Sequence, residues 1–198
     1  MDGKSEPVDA FVFARRGELL AIPAVALAAL GKPSAFSVAI GLPLAFAGEA
    51  IRAWAVGYSG VTTRGNTTEA PALVTAGPYA YVRNPLYIGN FITAVGFALA
   101  FTGKNSGVLR TTLVLGSLGT MIGVYRIIVP HEEAFLREKF GAAFDEYVAS
   151  VPRVFPTREP GGSQMGSYDP SVIGKAESRT FITFGAMLAL LALKALKS

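Results

Sequence analysis

The sequence predicts an all-α fold, a polytopic membrane helix bundle of about five transmembrane helices with a cytoplasmic amphipathic helix toward its C-terminal side. Two observations carry this. Apolar residues make up 51% of the 198 residues and charged residues only 16%, against about 25% charged in an average soluble domain. The mean hydropathy is +0.42, and the charges lie in the gaps between long apolar runs, which is how a membrane protein separates them.

The five runs are Gly17–Leu30, Ser34–Tyr58, Leu86–Thr102, Gly107–Val129 and Thr180–Leu196. A spanning helix needs roughly 20 apolar residues. The second and fourth runs reach that length; the others do so by extending through interfacial residues. All five are rich in Gly and Ala, which lets helices approach closely in lipid. Pro23 and Pro43 fall inside two of them and are expected to kink those helices. Met1–Asp9 is mixed in charge and makes a poor signal peptide, so the run after Arg15 and Arg16 is taken as the first span.

Orientation follows from Lys and Arg. With the N-terminus inside, thirteen of the eighteen lie on the inner side: Lys4, Arg15, Arg16, Arg52, Arg64, Arg83, Arg126, Arg137, Lys139, Arg153, Arg158, Lys175 and Arg179. Five remain outside: Lys32, Lys104, Arg110, Lys194 and Lys197. The short connections at Gly31–Pro33 and Gly103–Ser106 pair the first two spans, and the third and fourth, as hairpins. Chemistry is therefore expected on the inner face, where the long segments Ser59–Pro85 and Pro130–Arg179 meet. The chain is expected to form one membrane domain over 1–198, with a core at 52–156, a mobile linker at 157–179 and a last span at 180–196.

Within the second inner segment, Leu136, Phe140, Phe144, Tyr147, Val148 and Val151 recur at helical spacing. They predict an amphipathic helix from Glu132 to Val151, with a break at Gly141. Pro152 and Pro156 end it.

Several chemistries are excluded. There is no Cys, so thiolate catalysis, disulfides and thiolate metal sites are absent. His131 is the single histidine, which argues against a His-based metal site. The net charge of +4 is spread along the chain and reads as topology bias, with no nucleic-acid partner and no metal.

Three groups remain. Gly77-Pro78-Tyr79-Ala80-Tyr81-Val82-Arg83-Asn84-Pro85-Leu86-Tyr87 opens the third span; as an interfacial belt it puts Tyr at the headgroups and starts a helix at Pro85. Glu132 and Glu133 follow the fourth span, where a helix dipole favours carboxylates or a membrane-edge cavity takes a cationic or hydroxyl-bearing ligand. Glu49 and Arg52 are three residues apart on the second span, an ion pair or a ligand contact at membrane depth.

In order, these groups resemble the isoprenylcysteine carboxyl methyltransferase-like and phospholipid methyltransferase-like membrane enzymes. The resemblance rests on Gly77-Pro78-Tyr79, Arg83-Asn84-Pro85, Tyr87, Gly89, Glu132-Glu133, Leu136, Phe140-Gly141, Phe144, Tyr147, Val151-Pro152-Arg153 and Pro156, and covers about Arg52 to Pro156. Asn84 stands where many members have His. Asn positions a partner by hydrogen bonds but does not titrate near neutral pH.

The resemblance implies methyl transfer from S-adenosyl-L-methionine to a lipophilic acceptor, either the carboxylate of a prenylcysteine-like group or a lipid amine, with membrane lipids around it. It implies Arg83, Arg153 and Glu133 as catalytic residues. Gly77, Tyr79, Asn84, Pro85, Tyr87, Glu132 and Glu133 would hold the cofactor, and Arg52 and Arg153 the substrate. Glu132 and Glu133 would take its amino group or ribose hydroxyls, Tyr79 and Tyr87 would wall it, and Arg83 and Arg153 would anchor a carboxylate. Two other readings stay open: an NADPH-dependent membrane reductase of the sterol-reductase type, and a non-catalytic scaffold or small transporter. The last predicts that Arg83, Tyr87, Glu132 and Glu133 point away from one another.

Overall fold

A computed structural model describes residues 7–60, 70–156 and 159–197, with backbone alone for 7–10. Lys4, Arg64 and Arg158 of the topology count, and most of the Met1–Asp9 reading, lie outside the described residues.

Helices stand at all five apolar runs, and no strand occurs among the described residues. They are α1 (Pro7–Leu30), α2 (Ala35–Ser59), α3 (Pro85–Phe101), α4 (Gly107–Phe140) and α7 (Ser178–Leu196). Between α4 and α7 lie α5 (Ala142–Ser150) and the short α6 (Ile173–Ala176). Helices α2, α4 and α7 are long and apolar enough to cross a membrane, and α3 is a shorter apolar helix. The all-helical membrane bundle is thus the observed class.

The fourth span differs from expectation. The apolar run predicts an end at Val129, before a separate helix from Glu132. Instead α4 runs unbroken through Pro130 to Phe140. Proline removes one backbone donor, but such a loss is tolerated where packing holds the flanks. Ile128 and Val129 before it are buried, and so is Glu133 after it. The chain breaks at Gly141 instead, whose φ of +52° suits glycine.

The stretch read as a linker also differs. It contains a 3-10 turn at Pro170–Val172, with Asp169 capping it, and then α6. Met165 pairs with Thr75 in both directions: the Thr75 N–H donates to its carbonyl, and its own N–H donates to Thr75 Oγ1, each at 2.9 Å. The Asp169 N–H donates to the Gly57 carbonyl at 2.8 Å.

The chain divides into two compact units. The first comprises Met1–Phe46, Phe91–Pro130 and Phe184–Ser198; the second comprises Ala47–Asn90 and His131–Thr183.

In the first unit, Leu27, Ala45, Phe97, Ala98, Ala100, Phe101, Leu113, Met187 and Leu191 form the core. Its seam is made of small residues at i, i+4 spacing. A Cβ on Gly41 would lie 2.4 Å from the Gly96 carbonyl oxygen, and one on Gly96 would lie 2.4 Å from the Ala45 nitrogen. Helices α2 and α3 therefore meet backbone to backbone there. At the start of α2, the N–H groups of Ser34 and Ser37 each donate to the other's hydroxyl, at 3.0 and 3.1 Å, a reciprocal cap. Asn105 ties the two hairpin turns, donating to the Leu30 carbonyl at 2.9 Å and accepting from the Lys32 N–H at 2.8 Å.

In the second unit, Leu73, Phe144, Tyr147 and Val151 are buried together, with Leu136, Phe140 and Val148 against them. Six of these seven are the residues whose spacing predicted an amphipathic face.

Gly96→Leu is expected to lower the melting temperature of the detergent-solubilised protein by several degrees, because overpacking a tight contact costs about 1–3 kcal/mol or more. Gly116→Ala, whose Cβ meets open space, is expected to hold or raise it. Equal melting temperatures for Gly96→Leu and wild type would overturn the close-approach account.

Candidate active site

Three stretches of sequence, around residues 83, 133 and 153, converge on one carboxylate in the second unit. Glu133 is 7% exposed. Arg83 Nε donates to its Oε1 at 3.1 Å, Arg153 Nε donates to the same oxygen at 3.1 Å, and Arg153 Nη2 donates to Oε2 at 2.5 Å. The Arg153 contact is a bidentate fork, the strongest common ion-pair geometry.

Arg83 is spoken for at both ends. Its Nη1 donates to the Val148 carbonyl at 3.3 Å and also to the Val151 carbonyl. Its backbone N–H donates to the Pro152 carbonyl at 2.9 Å. Asn84 Nδ2 donates to the Arg153 carbonyl at 3.2 Å. The Arg83-Asn84-Pro85 turn is therefore stitched to the end of α5. Those carbonyls are available because Pro152 stops the helix there.

The other expected residues sit around this centre. Pro85 is buried and begins α3. Two residues on, the Tyr87 hydroxyl donates to Glu132 Oε1 at 2.7 Å. Gly77 has φ +60°, and a Cβ there would lie 2.2 Å from a ring carbon of Tyr58, so only glycine fits. Tyr79 lies in the 3-10 turn Gly77–Ala80, and its carbonyl accepts from the Tyr147 hydroxyl at 2.7 Å. Desolvation pushes the Tyr79 phenol up to about 12, with the negative charges of Glu132 and Glu177 acting in the same direction and Arg52 and Ser59 opposing. Burial also pushes the Tyr147 phenol upward.

Arg52 belongs to a different group. It is 3% exposed. Its Nη2 donates to Glu177 Oε2 at 2.6 Å and to Thr180 Oγ1 at 3.2 Å, its Nη1 donates to Asn90, and its Nε lies 3.6 Å from Glu49 Oε1. The i, i+3 pairing of Glu49 with Arg52 is thus observed. Among the described residues, no hydrogen bond joins Arg52 to Glu133, Arg83 or Arg153. Sequence reasoning missed Asn90, Thr180 and above all Glu177, which is fully buried. An acid at the start of the last span was the available signal, masked by the Gly/Ser/Pro-rich stretch before it.

The arrangement brings Arg83, Arg153 and Glu133 into one cluster and pairs Tyr87 with Glu132. Glu133 has both oxygens on guanidiniums, so it holds two arginines instead of presenting a carboxylate outward. Arg153 keeps its side chain 49% exposed, and Glu132 is half-buried. Arg153 and Glu132 thus each keep part of a charged side chain accessible.

A bundle of apolar helices with this polar centre defines an integral membrane protein with an enzyme-like site. The phospholipid methyltransferase family profile matches residues 36–143, more than half of the chain, and the chain belongs to that family. It is 37% identical over 84 residues to a protein-S-isoprenylcysteine O-methyltransferase of Schizosaccharomyces pombe, covering 42% of this chain and 33% of that one. It is 33% identical over 121 residues to a probable protein-S-isoprenylcysteine O-methyltransferase of Oryza sativa subsp. indica, covering 59% and 60%. It is 32% identical over 117 residues to the cobalt-zinc-cadmium resistance protein CzcN of Cupriavidus metallidurans, covering 59% and 46%. The chain thus spans between a third and three fifths of the length of these relatives. No solved structure matches it.

Glu133→Gln is expected to destabilise the protein by about 3 kcal/mol, since it strands a buried guanidinium. Arg153→Gln is expected to cost about 1 kcal/mol or less, because that side chain is half in solvent. Denaturant unfolding in detergent measures both, and equal losses would refute the asymmetry. A raised phenol holds stability below the unfolded value of about 10 and loses it as pH rises toward 12. Tyr79→Phe is therefore expected to flatten the fall in melting temperature between those limits, and an unchanged profile would argue against the buried phenol.

Proposed function

We propose that this protein is a methyltransferase that uses S-adenosyl-L-methionine to methylate a lipophilic acceptor at the cytoplasmic membrane face. The acceptor class is the carboxylate of a prenylcysteine-like group or a lipid amine. The observation that carries the reading is the meeting of Arg83, Glu133 and Arg153. Three motifs that make up the family resemblance, separated by 50 and 20 residues, share one carboxylate. The pairing of Tyr87 with Glu132 beside them counts against a scaffold, which has no need for such convergence.

The residues fit the cofactor by their chemistry. Glu132 is suited to its ammonium, the exposed face of Arg153 to its carboxylate, and the rings of Tyr79 and Tyr87 to its flat portions. Glu133 is a positioning residue on this reading: it orients Arg153 and Arg83. Asn84 and Gly77 shape the turn that presents Tyr79 and Pro85. Bound there, the cofactor supplies a sulfonium methyl, which is already electrophilic. The protein's task is then to align acceptor and methyl in line and to keep water away. No triad is needed for that, and no titrating histidine, consistent with Asn84.

The cytoplasmic assignment rests on the Lys and Arg distribution. The likeness to protein-S-isoprenylcysteine O-methyltransferases of fission yeast and rice favours a prenylcysteine carboxylate over an amine. Arg52, held by Glu177, is assigned to supporting the acceptor side by fixing α2 in the second unit.

Calorimetric titration of the purified protein with S-adenosylhomocysteine is expected to show binding, weakened at least tenfold in Glu132→Ala and in Arg153→Ala. Transfer of labelled methyl to a farnesylcysteine analogue is expected to exceed transfer to phosphatidylethanolamine. Absence of binding by the wild type would sink the reading, and transfer to the amine alone would reverse the acceptor.

A further inference from the structure

The second unit exposes apolar side chains where no membrane helix accounts for them. Val154 and Phe155 lie between Pro152 and Pro156, outside any helix. Phe155, 77% exposed, is the most exposed large apolar side chain among the described residues of this unit. On the flank of a spanning helix such exposure is contact with lipid; in a loop beside a polar centre it asks for a partner. We infer that the Pro152–Pro156 loop dips into the lipid surface, with Val154 and Phe155 seated at the boundary between headgroups and acyl chains.

Backbone ties set the level of the loop. The Pro152 carbonyl accepts from the Arg83 N–H at 2.9 Å, and the Arg153 carbonyl accepts from Asn84 Nδ2 at 3.2 Å. Pro85, the residue after Asn84, begins the apolar helix α3. Val154 and Phe155 therefore follow directly on a tie to the point where α3 enters the membrane. Two residues reach at most about 7 Å, no farther than the headgroup layer on one side of a bilayer is deep, about 5–8 Å.

Aromatic residues mark the same level. Helix α2 ends at Ser59 and α3 begins at Pro85, so these two ends share one face of the membrane. Trp54, the single tryptophan, lies in the last turns of α2 and meets Tyr81, in the turn before α3, at a ring-centroid distance of 6.4 Å. Both are exposed. Trp and Tyr collect at headgroup level because each ring is apolar with one polar edge. Tyr81 stands just before Arg83, the residue tied to Pro152. Three separate stretches of chain thus bring exposed rings to one interface.

The surroundings of the loop favour lipid over a soluble partner. On α5 the exposed side chains include Asp145 and Glu146, which suit water; the apolar character begins after Pro152. Arg153, between the two, can lay its stem on apolar surface and keep its charge among headgroups. Proline at both ends restricts the loop backbone, so little conformational freedom is lost on insertion. On the methyltransferase reading, the loop also holds the exposed side of Arg153 at the depth from which a lipophilic acceptor arrives; insertion itself rests on the fold alone.

The full-length protein is reconstituted into phosphatidylcholine vesicles, with and without phosphatidylcholine brominated on its acyl chains, and tryptophan emission is titrated with aqueous iodide. Three forms are compared: wild type, in which Trp54 is the only reporter, Trp54→Phe/Phe155→Trp, and Trp54→Phe/Glu146→Trp. The wild type and the Phe155→Trp form are each expected to lose roughly half their emission to bromolipid and to resist iodide, as suits a depth of about 5–10 Å. The Glu146→Trp form is expected to show the reverse. The chain has no Cys, so Phe155→Cys carries a polarity-sensitive label at one thiol and repeats the reading with Trp54 in place; a blue shift on reconstitution is expected. Iodide quenching of the Phe155→Trp form as strong as that of the Glu146→Trp form overturns the inference. Shielding from both quenchers, which means that a second copy or another protein covers the loop, overturns it too. Insertion without binding of S-adenosylhomocysteine upholds this inference and sinks the methyltransferase reading alone.

Discussion

Glu133 places a buried carboxylate between two guanidiniums, and the order of the second unit depends on that ion cluster. A buried charge is tolerable only when paired and hydrogen-bonded. Here each partner also organises backbone: Arg83 takes the carbonyls of Val148 and Val151, and the Arg153 carbonyl takes the Asn84 amide. The turn before α3, the middle of the α4 extension and the end of α5 are thereby held by one group. The aromatic cluster of Phe144 and Tyr147 adds burial but has no comparable directional demand. The electrostatics thus set the geometry, and the apolar contacts follow it.

The same logic explains the continuity of α4. A helix that stopped at Val129 would leave Glu133 on a flexible tether. Running through Pro130, it delivers Glu132 and Glu133 from a rigid element, so that adjacent carboxylates take different partners: Tyr87 for one, two arginines for the other. Adjacent residues on a helix project about 100° apart, a consequence of 3.6 residues per turn. That divergence gives a repeated residue two sets of contacts: the Tyr87 hydroxyl for Glu132, the guanidiniums of Arg83 and Arg153 for Glu133.

The first unit is governed by a different constraint. In lipid there is little hydrophobic gain from helix association, so close packing must do it. Gly41, Ala45, Gly96 and Ala100 let backbones touch, and the turns are then closed by Asn105 and by the Ser34–Ser37 cap. Lys32, Lys104, Lys194 and Lys197 line one cavity in this unit.

The sequence by itself determined the class and the ingredients. Apolar runs of spanning length made helices inevitable, because no other structure of that length satisfies its backbone in lipid. The three- and four-residue spacing of Leu136, Phe140, Phe144, Tyr147, Val148 and Val151 determined a buried face, and the order of the motifs marked Arg83, Glu133 and Arg153 for the same region. Pairing was beyond its reach. Whether Glu133 meets one arginine or two, and that Arg52 meets Glu177 across 125 positions, depends on chain reversals that leave no local trace. The same holds for Pro130, where local propensity said stop and tertiary packing overrode it. It holds too for Lys32, Lys104, Lys194 and Lys197: along the chain they are the minor side of a topology count, and only the tertiary structure brings them to one cavity.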